Sequence, residues 1–198
     1  MKINKIGTIL LLSCMIVSAA NAVSSVDARK AEKARDSLFQ TISDAENALN
    51  ALQNAKTDLL QGLFNKIYQD RLWGTILPGL ASFSDKIVAL GGTPRPVPSV
   101  GSYKLKYPEQ SLAKIEDKAV LRKELRILSK VKSAAKQMER HIRASLSHLK
   151  TAKSRKLKGA SSGSYEILER KVKDLKGELE NIGKMRAQIQ RRMVELSK

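Results

Sequence analysis

The 198-residue chain carries 37 Lys and Arg against 19 Asp and Glu, a formal charge of +18, with 4% aromatic residues and one cysteine. One thiol excludes an intramolecular disulfide framework, and the wealth of Ala, Leu, Lys, Glu and Arg points to an all-α fold of long helices. So strong a positive balance calls for an anionic partner or for a purely solvated face.

Residues 1–22, "MKINKIGTILLLSCMIVSAANA", read as a cleavable signal peptide. Lys2 and Lys5 form its positive start, Ile6 to Ala19 its apolar stretch, and Ala20-Asn21-Ala22 a small-x-small cleavage site. The apolar stretch falls short of the roughly 20 residues that a membrane-spanning helix needs. The rival reading is a lipoprotein leader that ends at Cys14. Either way the chain is expected to be exported, to a periplasm or beyond. Cleavage after Ala22 would remove the only cysteine and leave a formal charge of +16.

Residues 23–73 form the first expected unit, with a long helix over 27–72. Ala31, Leu38, Ala45, Leu52 and Leu59 recur every seven residues, with Ile42, Leu49 and Leu63 between them. The pattern fails across 74–110, where "GGTPRPVPSVG" places three prolines at alternate positions, which forbids helix and favours an extended run. A short apolar helix is expected before it, over 80–90. Phe64, Tyr68, Trp73 and Phe83 gather around this break and read as a small core that docks the irregular segment.

The third unit, 111–198, reads as a basic helical hairpin. Its first arm covers 111–157, with Leu121, Leu128, Ala135, Ile142 and Leu149 seven apart. Its second arm covers 165–197. There Leu168, Val172, Leu175, Leu179, Ile182, Ile189, Met193 and Leu196 keep the alternating three-and-four spacing of a coiled-coil seam, broken only at Arg186. Between the arms, "KGASSGS" is expected to form the tip near 158–164, with Ser164 capping the second arm. A loop that short makes the arms antiparallel. Stripes this narrow need cover from another helix, so self-association through the coiled coil is expected.

The charge is unevenly spread. Residues 23–72 hold seven cations and seven anions, whereas 111–164 hold fifteen cations and four anions. No acid lies between Glu139 and Glu166, so Arg140, Arg143, Lys150, Lys153, Arg155, Lys156 and Lys158 form an unopposed run that leads to the tip. Cations in the last turn of a helix complement its dipole, which accounts for the end of this run but not for Arg140 to Lys150. Residues 111–164 contain no Phe, Tyr or Trp to stack a base, so nucleic acid is the less favoured partner.

Catalytic chemistry finds little support. His141 and His148 share a helix face with Ser145, but each precedes an apolar seam position and no third ligand has suitable spacing. Neither cofactor nor metal is expected. The leading expectation is an exported, non-enzymatic helical interaction protein, scaffold or chaperone-like. Its cationic hairpin would bind an anionic macromolecule or surface: acidic or unfolded protein, anionic lipid or lipopolysaccharide. The outline is similar, in shape and charge alone, to that of basic, tentacled periplasmic holdase chaperones. A second reading is a structural or secreted component of an export machine or surface appendage, mating through its coiled coil, with minor pilins of type IV secretion systems comparable in plan. A secreted membrane-active or nucleic-acid-binding protein is the third.

Overall fold

A computed structural model describes residues 5–89, 91–151 and 155–198, and the side chains of these outside 5–25, 71, 82, 84–86, 89 and 155–167. The fold is all-α. The helices are α1 (Lys5–Leu52), α2 (Asp58–Asn65), α3 (Leu77–Ala89), α4 (Lys118–Lys150) and α5 (Arg155–Glu195). No strand forms among the described residues, only an isolated bridge between Thr57 and Gln110.

The helix α4 is the centre of the molecule and packs against both α1 and α5. Buried residues recur along it at Leu121, Glu124, Leu128, Val131, Ala135, Met138, Ile142, Ser145 and Leu149, with Ile127, Ala134 and Leu146 widening the stripe. A stripe that wide serves two neighbours at once. The α1 face that meets α4 is rich in alanine, with Ala31, Ala34, Ala45 and Ala48 all buried, so the backbones approach closely. The two helices run antiparallel: Lys30 donates to the Thr151 carbonyl at one end, and Thr57 meets Glu124 at the other. The α4–α5 pair is antiparallel too, for Arg192 near the end of α5 donates to the Ile115 carbonyl just before α4. The stripes of α4 and α5 thus cover each other within this chain.

The backbone departs from the expected boundaries in three places. First, α1 begins at Lys5, so residues 5–22 of the expected leader continue into it, and it ends at Leu52 instead of running to 72. The break is held from a distance by Glu124, which is fully buried. Its carboxylate accepts from the Lys56 and Thr57 backbone N–H groups at 3.0 and 3.4 Å and from the Thr57 hydroxyl at 2.6 Å. Thr57, extended in φ and ψ, then starts α2.

Second, the arm expected over 111–157 opens with a 3-10 turn over Leu112–Lys114 and becomes α-helical only at Lys118, where the Asp117 side chain caps the Ala119 N–H at 2.7 Å. It ends at Lys150. Third, α5 starts at Arg155, so 158–164, expected as the tip, lie within a helix. The backbone of 159–164 is helical, so Ser164 lies within α5 and not at its start. Gly and Ser lower helix propensity by only about 0.5–1 kcal/mol each, and with no proline the segment accepts helix once α5 packs.

The run from Asp58 to Ala89 is helical throughout, with a wide π-helical stretch over Lys66–Ile76. Pro78 suits the end of this stretch: its ring has no N–H and clashes with the carbonyl four residues back, and there Leu77 N–H reaches to Leu72 O. The expected helix over 80–90 is α3. It closes with Gly92 N–H to Ile87 O at 2.8 Å and Gly91 N–H to Val88 O at 3.0 Å, with Gly91 at φ 75°. A Cβ on Gly92 would lie 2.6 Å from Ile87 Cγ2, so the double glycine is a requirement of this stop.

From Thr93 to Gln110 the chain is a strap laid along α1 in the same direction. Arg35 donates to the Thr93 carbonyl at 2.6 Å, Glu32 accepts from its N–H at 2.7 Å, and Arg95 pairs with Asp36 at 2.8 Å while lying over the Phe39 ring. Further along, the Tyr103 hydroxyl donates to Glu46, and Lys106 N–H donates to the Gln53 carbonyl. Tyr103 also joins Phe64, Tyr68 and Trp73 in a run of ring contacts. Phe64 and Phe83 are core, as expected, whereas Trp73 is 49% exposed.

Candidate anion-binding surface

Each side of α4 that is free of α1 and α5 carries cations. Arg122, Lys123, Arg126, Lys130, Lys136, Arg140, Arg143 and Lys150 are all exposed. The helix has two carboxylates, Glu124 and Glu139, and both act inside the molecule. Glu124 holds the α1–α2 break. Glu139 accepts from Arg143 Nε and Nη2 at 3.0 and 2.7 Å, a forked pair one helical turn long. Arg143 is therefore not the unopposed cation that the spacing suggested. Helix geometry places residues four apart side by side, and an acid at the edge of the run reaches into it.

At the tip, Lys150 is exposed beside Arg143, and Glu169 of α5 lines the same shallow depression. Lys153 lies outside the described residues, as do the side chains of Arg155, Lys156 and Lys158. Their backbone position still changes the electrostatic argument. Arg155, Lys156 and Lys158 sit in the first turns of α5, where the dipole is positive and a cation is unfavourable by about 0.3–1 kcal/mol. The dipole therefore explains His148 and Lys150, in the last turn of α4, and not the three residues beyond the turn.

The seam of α5 lies where its spacing placed it, with a drift. Leu168, Val172, Leu175, Ile182 and Ile189 are buried, while Leu179, Met193 and Leu196 are half-buried and Arg186 is exposed. Glu178 and Met185 occupy buried positions instead. The buried stripe thus crosses to the preceding residue at these two positions, while Leu168, Leu175, Ile182 and Ile189 keep the seven-residue step. Glu178 tolerates burial because Lys66 of the π-helical stretch reaches it at 3.3 Å.

Between α1 and α4 runs a long groove. Its larger part encloses about 880 Å³ between Asn47, Asn50 and Asn54 of α1 and Lys123, Arg126 and Lys130 of α4. A smaller part continues past Gln40 and Arg140. Between them Asp44 Oδ2 lies 3.8 Å from His141 Nδ1, an ion pair only when the imidazole is protonated. The sequence offered His141 no such partner, because Asp44 belongs to a helix 97 residues upstream. No group of three His, Cys, Asp or Glu placed to hold a metal occurs among the described residues.

Burial pushes the Asp44 carboxyl above its ordinary value of 3.8, and the His141 imidazole offsets part of this. A raised carboxyl holds its proton longer in the folded chain than in the unfolded one. Its effect is absent below the ordinary value, destabilises increasingly as pH rises from there to the folded value, and is constant above it. Asp44→Asn removes that burden. The melting temperature of the variant relative to wild type is expected to rise between pH ~4 and ~7. A difference that stays flat over that range would place the proton elsewhere.

Compared with known protein families, curated proteins and solved structures, the chain shows no significant match to any of them.

Proposed function

We propose that this chain is an exported, non-enzymatic interaction protein that recruits an anionic envelope component or an acidic or unfolded client through the cationic side of its α4–α5 hairpin. The observation that carries the reading is the fate of the two α4 carboxylates. Both are engaged within the molecule, so Arg122, Arg126, Lys130, Lys136 and Arg140 are exposed with no carboxylate of their own helix bound to them. A row of like charges on a rigid rod projects a positive field that raises encounter rates with anions more than it raises affinity per contact. The export signal read in residues 1–22 sets the compartment of this encounter, and with it the preference for acidic protein, lipid or lipopolysaccharide over nucleic acid. Among the described residues no helix is long and apolar enough to cross a membrane.

A second reading, a component that mates through its coiled coil, has less support. The α5 seam is already occupied by α4, so a partner helix would have to displace it.

The test is charge removal without loss of fold. Arg140→Gln, Arg143→Gln, Lys150→Gln, Lys153→Gln and Lys156→Gln together should leave the helical content unchanged and weaken capture of the native partner by about tenfold or more. Wild-type binding should fall steeply as the Debye length shrinks from about 30 Å at 0.01 M salt to about 8 Å at 0.15 M. Binding that ignores salt would defeat the charge reading.

A further inference from the structure

The groove between α1 and α4 has a chemistry that the tip cations lack. On one wall Lys123, Arg126 and Lys130 follow at spacings of three and four, all exposed. Arg126 and Lys130 meet no carboxylate among the described residues. On the opposite wall Asn47, Asn50 and Asn54 repeat the same spacing, and Asp44, at one end of the row and facing His141, is the carboxylate among the lining residues. Each amide offers two donors and an acceptor, so a row of them matches a ligand that alternates N–H and C=O groups. The floor is apolar and low, formed by Ala51, Ile127 and Ala134.

We propose that this groove binds an acidic peptide segment in extended conformation. The proposal rests on the anionic-partner reading above and names its partner class. The asparagine row would meet the peptide backbone, the cationic row its carboxylates, and the alanine floor the side chains of the opposite register. From Lys123 to Gln137 the groove runs about 21 Å along the helix, the reach of six to seven extended residues. An acidic polysaccharide would share the charge, but no aromatic ring lines the groove to stack a sugar face. Tyr107, which meets Lys123, is engaged by the Lys56 and Lys123 ammonium groups.

The experiment measures fluorescence anisotropy of a labelled decapeptide of alternating Glu and Ala with the full chain, and of its Gln–Ala counterpart. The acidic peptide should bind and the neutral one should not. Lys123→Gln, Arg126→Gln and Lys130→Gln combined should weaken binding by about tenfold. Ser133→Trp, at an exposed groove position, should do likewise with no change of charge. Arg143→Gln and Lys150→Gln combined should leave binding within about twofold, since neither residue lines the groove. Full binding by Ser133→Trp would overturn the proposal, because attraction would then act without the groove. Displacement of the peptide by a sulfated polysaccharide at equal charge would overturn it in favour of a glycan ligand. Loss of binding in the tip variant alone would overturn the groove and leave the anionic-partner reading standing. Failure of every anion to bind would remove both.

Discussion

Glu124→Ala should lower stability by about 3–5 kcal/mol, the sum of several stranded donors and a small cavity, and so lower the melting temperature by about 6–20 °C for a chain of this size. The carboxylate is fully buried, and three donors converge on it: the Lys56 and Thr57 N–H groups and the Thr57 hydroxyl. Thr57 is 2% exposed, so water does not replace the lost acceptor there, whereas the half-buried Lys56 N–H recovers part of its loss. Glu124→Gln keeps one acceptor oxygen and turns an amide toward donors, so about 1–3 kcal/mol is expected. Thr57→Ala combined with Glu124→Ala should cost less than the two separately, because each removes the other's partner. Thermal denaturation followed by circular dichroism checks all of these. A Glu124→Ala variant that melts within about 2 °C of wild type would show that the break is held by something else.

Leu175→Asp should be at least as damaging, but locally. Leu175 is fully buried in the middle of the α5 seam. Removing a buried leucine side chain costs about 2–5 kcal/mol, and an unpaired carboxylate in its place adds several more unless the interface opens. Opening is the expected outcome, because α5 joins the molecule chiefly through α4. Hydrogen exchange should then show amides of 168–193 losing protection while those of 38–49 and 128–142, in the α1–α4 pair, keep theirs. Val194→Asp is the control, since Val194 is 59% exposed and a surface change of this kind stays within about 0.5 kcal/mol. If Leu175→Asp left α5 protected, the seam would not be what binds it to α4. The variant also separates the two functional readings: a charge-driven partner needs only the cationic side of α4, whereas a mating partner needs the seam itself.

Much of this architecture was legible in the residues. The seven-residue recurrence of Leu121 to Leu149 and the spacing of Leu168, Val172, Leu175, Ile182 and Ile189 report which side of a helix is apolar, and those positions are buried, while Leu179 is half-buried and Arg186 exposed. The stop after α3 was legible in Gly91 and Gly92, the extended strap in its alternate prolines, and the cation-rich character of α4 in its count of charges. These signals are local: each depends on neighbours within one or two helical turns, where spacing and side-chain chemistry decide the outcome.

What the sequence by itself determined, then, is an all-α chain, the apolar side of each long helix and the segment that carries the charge. Tertiary structure decided where the helices stop and what they meet. Thr57-Asp58 is an ordinary cap signal inside a continuous apolar repeat, and only Glu124, 67 residues away, makes it a break. The serines and glycines of 159–164 read as a turn, yet they lie in α5 because their helix penalty is small beside the burial that α5 gains on α4. Asn47, Asn50 and Asn54 are unremarkable alone and become a wall only when α1 lies antiparallel to α4 and sets Lys123, Arg126 and Lys130 across from them. Contacts between distant residues are worth as much as local preferences, and no window of sequence contains both partners.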